Sequence, residues 1–177
     1  MSNLRLINET TVSSNTVSTI NITDVFSSDY DVYKIVSTAH IHSAAKDIYI
    51  RYINSSGSVV SDSDYHTATL MLRAASSVLE RPSDKDDIDT GTFFTLTSGD
   101  EGGGAVEYVF NPTSTSSYTY GMNEAQGFLS GTGAYGAKTI RMLEATTSIT
   151  GFNLYNGESS DNFGGGTINV YGLRVDT

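Results

Sequence analysis

Apolar and polar residues alternate with a period of two along most of this chain, and Gly, Ser, Asn and Asp break the alternation every few residues. Across residues 31–42 the odd positions Tyr33, Ile35, Ala39 and Ile41 form the more apolar face, while Lys34, Thr38, His40 and His42 form the other. Ile48, Ile50 and Tyr52 then alternate with Asp47, Tyr49 and Arg51, and residues 54–58 (Asn-Ser-Ser-Gly-Ser) read as a turn. Shorter alternating runs lie at 18–22, 93–97, 105–110, 138–143, 148–155 and 167–175. Short alternating runs bounded by turn residues mark half-buried strands. With only 2 Pro among the 177 residues, the turns fall mostly to Gly, Asn, Asp and Ser.

One segment breaks the pattern. Residues 65–80 carry Ala68, Leu70, Met71, Leu72, Ala74, Ala75 and Leu79, which fit part of a helix or a strand from His66 to Arg73 followed by a loop. Residues 81–89, polar and acidic around Pro82, read as a loop, and 100–104 and 162–166 as Gly-rich turns. The crossover helices of a parallel sheet are missing, so the expected fold is all-β. It is an antiparallel β-sandwich, jelly-roll-like, with at most one short helix. A chain of this length makes one domain, residues 1–177, with 1–12 either an arm or an edge strand. The expected core residues are Ile35, Ile50, Tyr52, Val106, Phe110, Ile140, Phe152, Leu154 and Ile168. In 167–175, Ile168 and Val170 oppose Tyr171, Leu173 and Val175, which implies a bulge, or burial of both faces, near Gly172.

Charge narrows the partners. There are 10 Lys and Arg against 20 Asp and Glu, a net charge of −10, and no two basic residues are adjacent. A phosphate-backbone binder needs clustered cations, so neither nucleic acid nor an anionic membrane is an expected partner. The chain has no Cys, which removes disulfides, thiolate metal sites and Cys nucleophiles. No apolar run near the start has the length of a signal-peptide core, and a soluble protein made without classical export is the expectation.

The residues that could carry chemistry are few. His40 and His42 lie two apart on a strand, hence on one face, and such a pair can give two metal ligands. A third ligand would have to come from His66 or from another subunit; the alternative is that both are solvent-facing or interface histidines. Asp84, Asp86, Asp87 and Asp89 crowd one loop but lack the Gly and the closing Glu of a calcium loop. Glu101, Glu107 and Glu144 are candidate carboxylates for glycoside hydrolysis, which depends on their spacing. The runs 102–104 and 164–166 are not phosphate cradles, because no Gly-Lys-Ser/Thr follows. The Tyr residues can fill the core edge, stack on sugar rings or anchor an interface. No catalytic residue, cofactor or metal is expected.

Three stretches carry a resemblance. They are Leu6-Ile7-Asn8-Glu9-Thr10-Thr11-Val12 through Ile20 with Tyr30-Asp31-Val32-Tyr33-Lys34-Ile35-Val36, then Ile48-Tyr49-Ile50-Arg51-Tyr52-Ile53, and the ending Gly164-Gly165-Gly166-Thr167-Ile168-Asn169-Val170-Tyr171-Gly172-Leu173-Arg174. Together they resemble small β-sandwich structural proteins of tailed bacteriophages; residues 80–147 take no part. The resemblance implies a non-enzymatic virion protein with no catalytic residues to carry over. The expected role is a capsid decoration or cement protein on the capsid exterior that stabilises the head. Its expected partners are its own copies, in a homotrimer, and the major capsid protein. The alternative is a tail- or head-fibre domain that recognises host-surface carbohydrate.

Overall fold

The computed structural model describes residues 4–13, 17–42, 48–60, 62–74, 79–83, 92–94, 102–129, 133–156 and 162–174, with the backbone alone at 39–42, 62, 79–83, 92–94 and 129. Twelve strands form, in chain order β1 (Leu4–Val12), β2 (Thr19–Ile22), β3 (Val32–His42), β4 (Ile48–Asn54), β5 (Tyr65–Arg73), β6 (Leu79–Ser83), β7 (Thr92–Phe94), β8 (Gly104–Phe110), β9 (Thr119–Leu129), β10 (Gly133–Leu143), β11 (Ile149–Asn156) and β12 (Phe163–Leu173). They make an eight-stranded antiparallel sheet, β1-β12-β3-β8-β9-β10-β5-β6, and a four-stranded one, β2-β11-β4-β7. Among the described residues the only helical element is one 3-10 turn, Asp62–Asp64. The all-β sandwich is therefore the fold, and the neighbours β1-β12-β3 are joined by long-range connections rather than hairpins.

Local chemistry explains the turns. After β4, the Asn54 side-chain oxygen accepts from the Ser56 and Ser58 amides, each at 3.0 Å, and Gly57 takes a left-handed φ of 79°. An Asx turn followed by Gly is what the run 54–58 encodes. Between β8 and β9, Asn111 adopts φ 55° and its amide donates to the Asp31 carbonyl at 2.9 Å. Asn tolerates that region better than other non-Gly residues.

The core between the sheets contains Ile35, Ile50, Tyr52, Phe152, Leu154 and Ile168, all buried. Phe26 joins the layers, its ring 4.7 Å from Tyr33 edge-on and 6.0 Å from Phe152 in a stack. Three expected core residues lie on the other face. Ile140 is 58% exposed, and Val106 and Phe110 are half-buried on the outside of the larger sheet. The inward positions of β8 and β10 instead hold Ala105, Glu107 and Val109, and Ala137, Thr139 and Arg141. A rule that sends charge outward inverts these two strands, because Glu107 and Arg141 are buried against each other.

Residues 65–73 are strand β5, matching the strand reading of His66–Arg73 rather than the helix; burial alternates along Tyr65, Thr67, Thr69 and Met71 with the period of a strand. Other segments depart from expectation. Arg81–Ser83 belongs to β6 rather than a loop, and Pro82 is tolerated there because β6 is an edge. Gly164–Gly166 lies inside β12, not in a turn, and the register against β3 shifts on both sides of Gly165. The bulge expected near Gly172 is present in the pairing with β1, whose register shifts between Leu6 and Asn8 opposite Tyr171 and Val170; the glycine run adds a second irregularity against β3. Gly172 keeps its pairing and packs under Tyr30, where an added Cβ would meet ring atoms at 2.7 Å.

Candidate functional site

The buried polar cluster is built on β8, β9 and β10. Arg141 on β10 reaches across β9 to Glu107 on β8, Nε to Oε1 3.0 Å, and both side chains are fully buried. They meet over Gly121, the β9 residue between them. A Cβ there would lie 2.6 Å from Arg141 Cγ and 2.8 Å from the Tyr52 hydroxyl, and closer still to Glu107 Oε1. The contact is close but off the N–H axis, so it is an ion pair rather than an aligned hydrogen bond, and among the described residues the two Arg141 Nη atoms have no hydrogen-bond partner. Glu107 also begins a cross-strand row, continued by Asn123, Thr139 and Thr69, all buried. The Thr139 and Thr69 hydroxyls are 2.9 Å apart.

Burial pushes the Glu107 carboxyl above its ordinary range, while the Arg141 charge and the neighbouring Asn123 amide act the other way. Burial, and next the Glu107 charge, holds the Tyr52 hydroxyl well above its usual value, so it stays protonated. These groups are sealed from solvent. They tie the sheets together, since Tyr52 belongs to the smaller sheet and its amide donates to the Tyr65 hydroxyl of β5 at 2.8 Å.

The outer face of the larger sheet is the accessible surface with a pattern. One cross-strand row runs through Leu4, Leu173, Val32, Phe110, Tyr120 and Met142. The row beside it runs through Leu6, Tyr171, Tyr108, Met122, Ile140 and Ala68, interrupted only by Lys34, whose ammonium sits 5.9 Å over the Tyr108 ring. Six inter-strand spacings make this band about 29 Å long. Leu6 is 50% exposed and Tyr120 43%, and Phe110, Tyr120, Ile140 and Met142 line a depression of ≈ 570 Å³. Farther along the strands the same face becomes mixed, with Val36 and Val106 beside polar residues. There Thr38, Gly104, Gln126, Gly136 and Leu72 pair in one row, at the base of a trough of ≈ 550 Å³ flanked by the Lys138–Glu124 ion pair.

The sequence candidates are scattered. His40 and His42 belong to β3, but their side chains lie outside the described residues. His66 is on β5, four strand positions from β3, or about 19 Å. Its row is that of Val32, at the opposite end of β3, so it cannot complete a site with His40 and His42 of its own chain. It contacts Glu144 instead, Nε2 to Oε2 2.8 Å. Glu107 faces inward and Glu144 follows the end of β10, two strands away and five residues past the Glu107 row. That separation is about 19 Å, far beyond a glycosidase carboxylate pair. Glu101 and Asp84, Asp86, Asp87 and Asp89 lie outside the described residues. Among the described residues no three His, Asp or Glu side chains gather as a metal set. What the sequence reading missed is the buried pair, whose one signal was a lone Glu and a lone Arg inside alternating runs.

No family model matches the chain, and no curated protein matches it. Among solved structures it is similar to an alginate lyase from Aplysia kurodai, at 8% identity over 86% of this chain and 72% of that one, TM-score 0.34. It is also similar to the exoplasmic/lumenal domain of VIP36, at 10% identity over 96% of this chain and 85% of that one, TM-score 0.25. Similarities this distant assign neither family nor activity.

Proposed function

We propose that this chain is a non-enzymatic structural component of a bacteriophage virion. In this reading it is a decoration protein that docks on the capsid exterior through the outer face of its larger sheet. The observation that carries the proposal is the double row of apolar side chains on that face. A solitary water-borne domain gains nothing by leaving such a band wet, and contiguous apolar patches mark interaction surfaces. The band carries little charge in a chain of net −10, so docking rests on apolar contact. The free edges β1 and β6 of the larger sheet are where symmetric copies, a trimer in this reading, would cover one another.

Leu4–Val12 is paired to β12 along its length, so deleting it would strip a neighbour as well as remove a contact. Leu6→Asp and Ile140→Asp are the cleaner probes. Purified protein should co-sediment with undecorated heads, and the double variant should lose that binding while keeping its β-sheet circular dichroism. Sedimentation with tails alone would overturn the head assignment. The trough around Gln126 favours a second reading, a fibre domain that recognises carbohydrate.

A further inference from the structure

The glycines of the larger sheet divide into two kinds. Gly121 and Gly172 are dictated by packing, since a Cβ at either would lie within 2.8 Å of buried side-chain atoms. Gly104 is not. Its φ is not left-handed, and a Cβ there would make ordinary contacts, 3.5 Å to the Ser37 carbonyl and 3.7 Å to Gln126 Nε2. Gly in a strand weakens it, and where the backbone does not require Gly the position often marks close approach by a ligand. Gly104 and Gly136 flank Gln126 in one row; the notch is open at Gly104, whereas a Cβ at Gly136 would already press the Ala125 carbonyl at 3.2 Å. The trough around them crosses from Thr38 on β3 to Leu72 on β5, four inter-strand spacings or about 19 Å.

We infer that this trough is a binding site for a neutral oligosaccharide laid across the strands. The inference rests on the carbohydrate reading and names its site and ligand class. Gln126 offers a donor and an acceptor beside the notch, which suits sugar hydroxyls. Phe128, two residues along the same face of β9 and 38% exposed, supplies an apolar ring beside it. Lys138 and Glu124 hold each other at 2.7 Å, so the wall, otherwise lined in part by Val36, Val106 and Leu72, carries no net charge. With the chain at −10, an acidic glycan gains no attraction there. The length suits about four pyranose units, each advancing the chain by about 5 Å, on the strand spacing above.

The test is isothermal titration of the full chain with cellotetraose, chitotetraose and maltotetraose, with tetragalacturonate as the acidic comparison. At least one neutral tetrasaccharide should bind, and tetragalacturonate should bind at least tenfold more weakly or not at all. Gly104→Val should weaken the neutral ligand at least tenfold while leaving the melting temperature equal or higher, because the added side chain has room and favours a strand. Gln126→Ala should weaken it similarly. If wild type binds none of the neutral sugars, the carbohydrate reading falls with the site. If wild type binds one and both variants bind it equally well, that reading stands and the trough is the wrong place. Preference for tetragalacturonate overturns the ligand class.

Discussion

Where Tyr33, Ile35, Ile168 and Val170 of β3 and β12 join Phe26, Ile50, Phe152 and Leu154, the interior is almost wholly aliphatic and aromatic. In the next strands of the same sheet, β8, β9, β10 and β5, the inward side chains include Glu107, Asn123, Thr139, Arg141, Thr67 and Thr69 beside Val109, Leu143, Tyr65 and Met71. Both regions are equally buried. In the first, transfer from water drives burial directly. In the second, charge and hydroxyls are sealed in, and their desolvation is offset only as far as they satisfy one another. The same strands that turn polar inward present Phe110, Tyr120, Ile140 and Met142 outward. The exposed band and the buried ion pair are thus two sides of one inversion.

The largest effects come from breaking each region in its own way. Arg141→Met leaves the Glu107 carboxyl buried without its counter-charge and should cost about 3–5 kcal/mol in urea unfolding. Glu107→Leu together with Arg141→Met should recover most of that loss, since an apolar pair of similar volume removes the desolvation term. If the single variant costs under about 1 kcal/mol, the two regions do not differ as described.

Next comes the face test. Phe152→Ala should cost about 3–5 kcal/mol, as for a buried Phe, whereas Ile140→Ala should stay within about 0.5 kcal/mol, as for a surface position. Equal losses in thermal or urea unfolding would mean that Ile140 is covered within the monomer, and the outward band would shrink accordingly.

This division also marks how far the sequence could be read. Ile35, Ile50, Phe152, Leu154 and Ile168 sit where alternation puts them, because the apolar phase of their strands is the inward one. Val106, Phe110 and Ile140 do not. In residues 105–110 and 138–143 the hydrophobic phase is the outer one, and no local signal shows that Glu107 and Arg141, 34 positions apart in the chain, are partners. Only the strand order β8-β9-β10, with Gly121 between them, creates the pair. The trough around Gln126 was hidden for the same reason: its row collects one residue from each of five strands. The turn 54–58, by contrast, depends on contacts at most four residues apart and was fully legible.

The smallest expected effect is a change of slope with pH, and it discriminates by its sign. Burial raises the Glu107 carboxyl in the folded chain above its ordinary 4.5. A carboxyl raised on folding binds its proton more tightly in the native state than in the unfolded one. Its contribution is therefore fully present below the ordinary carboxyl range and is lost as pH rises through the raised folded value. Glu107→Gln cannot titrate, so it lacks this component while sharing every other titration of the chain. Urea midpoints for both proteins, measured from pH 4.5 to 8 at fixed ionic strength, should show the wild type falling relative to the variant as pH increases. A gap that widens in favour of the wild type would mean that the Arg141 charge outweighs burial and holds Glu107 ionised inside the fold. The polar region would then be bound by a full ion pair. The predicted sign instead means that burial outweighs the Arg141 charge at Glu107, so the pair binds the polar region less tightly than its 3.0 Å contact suggests.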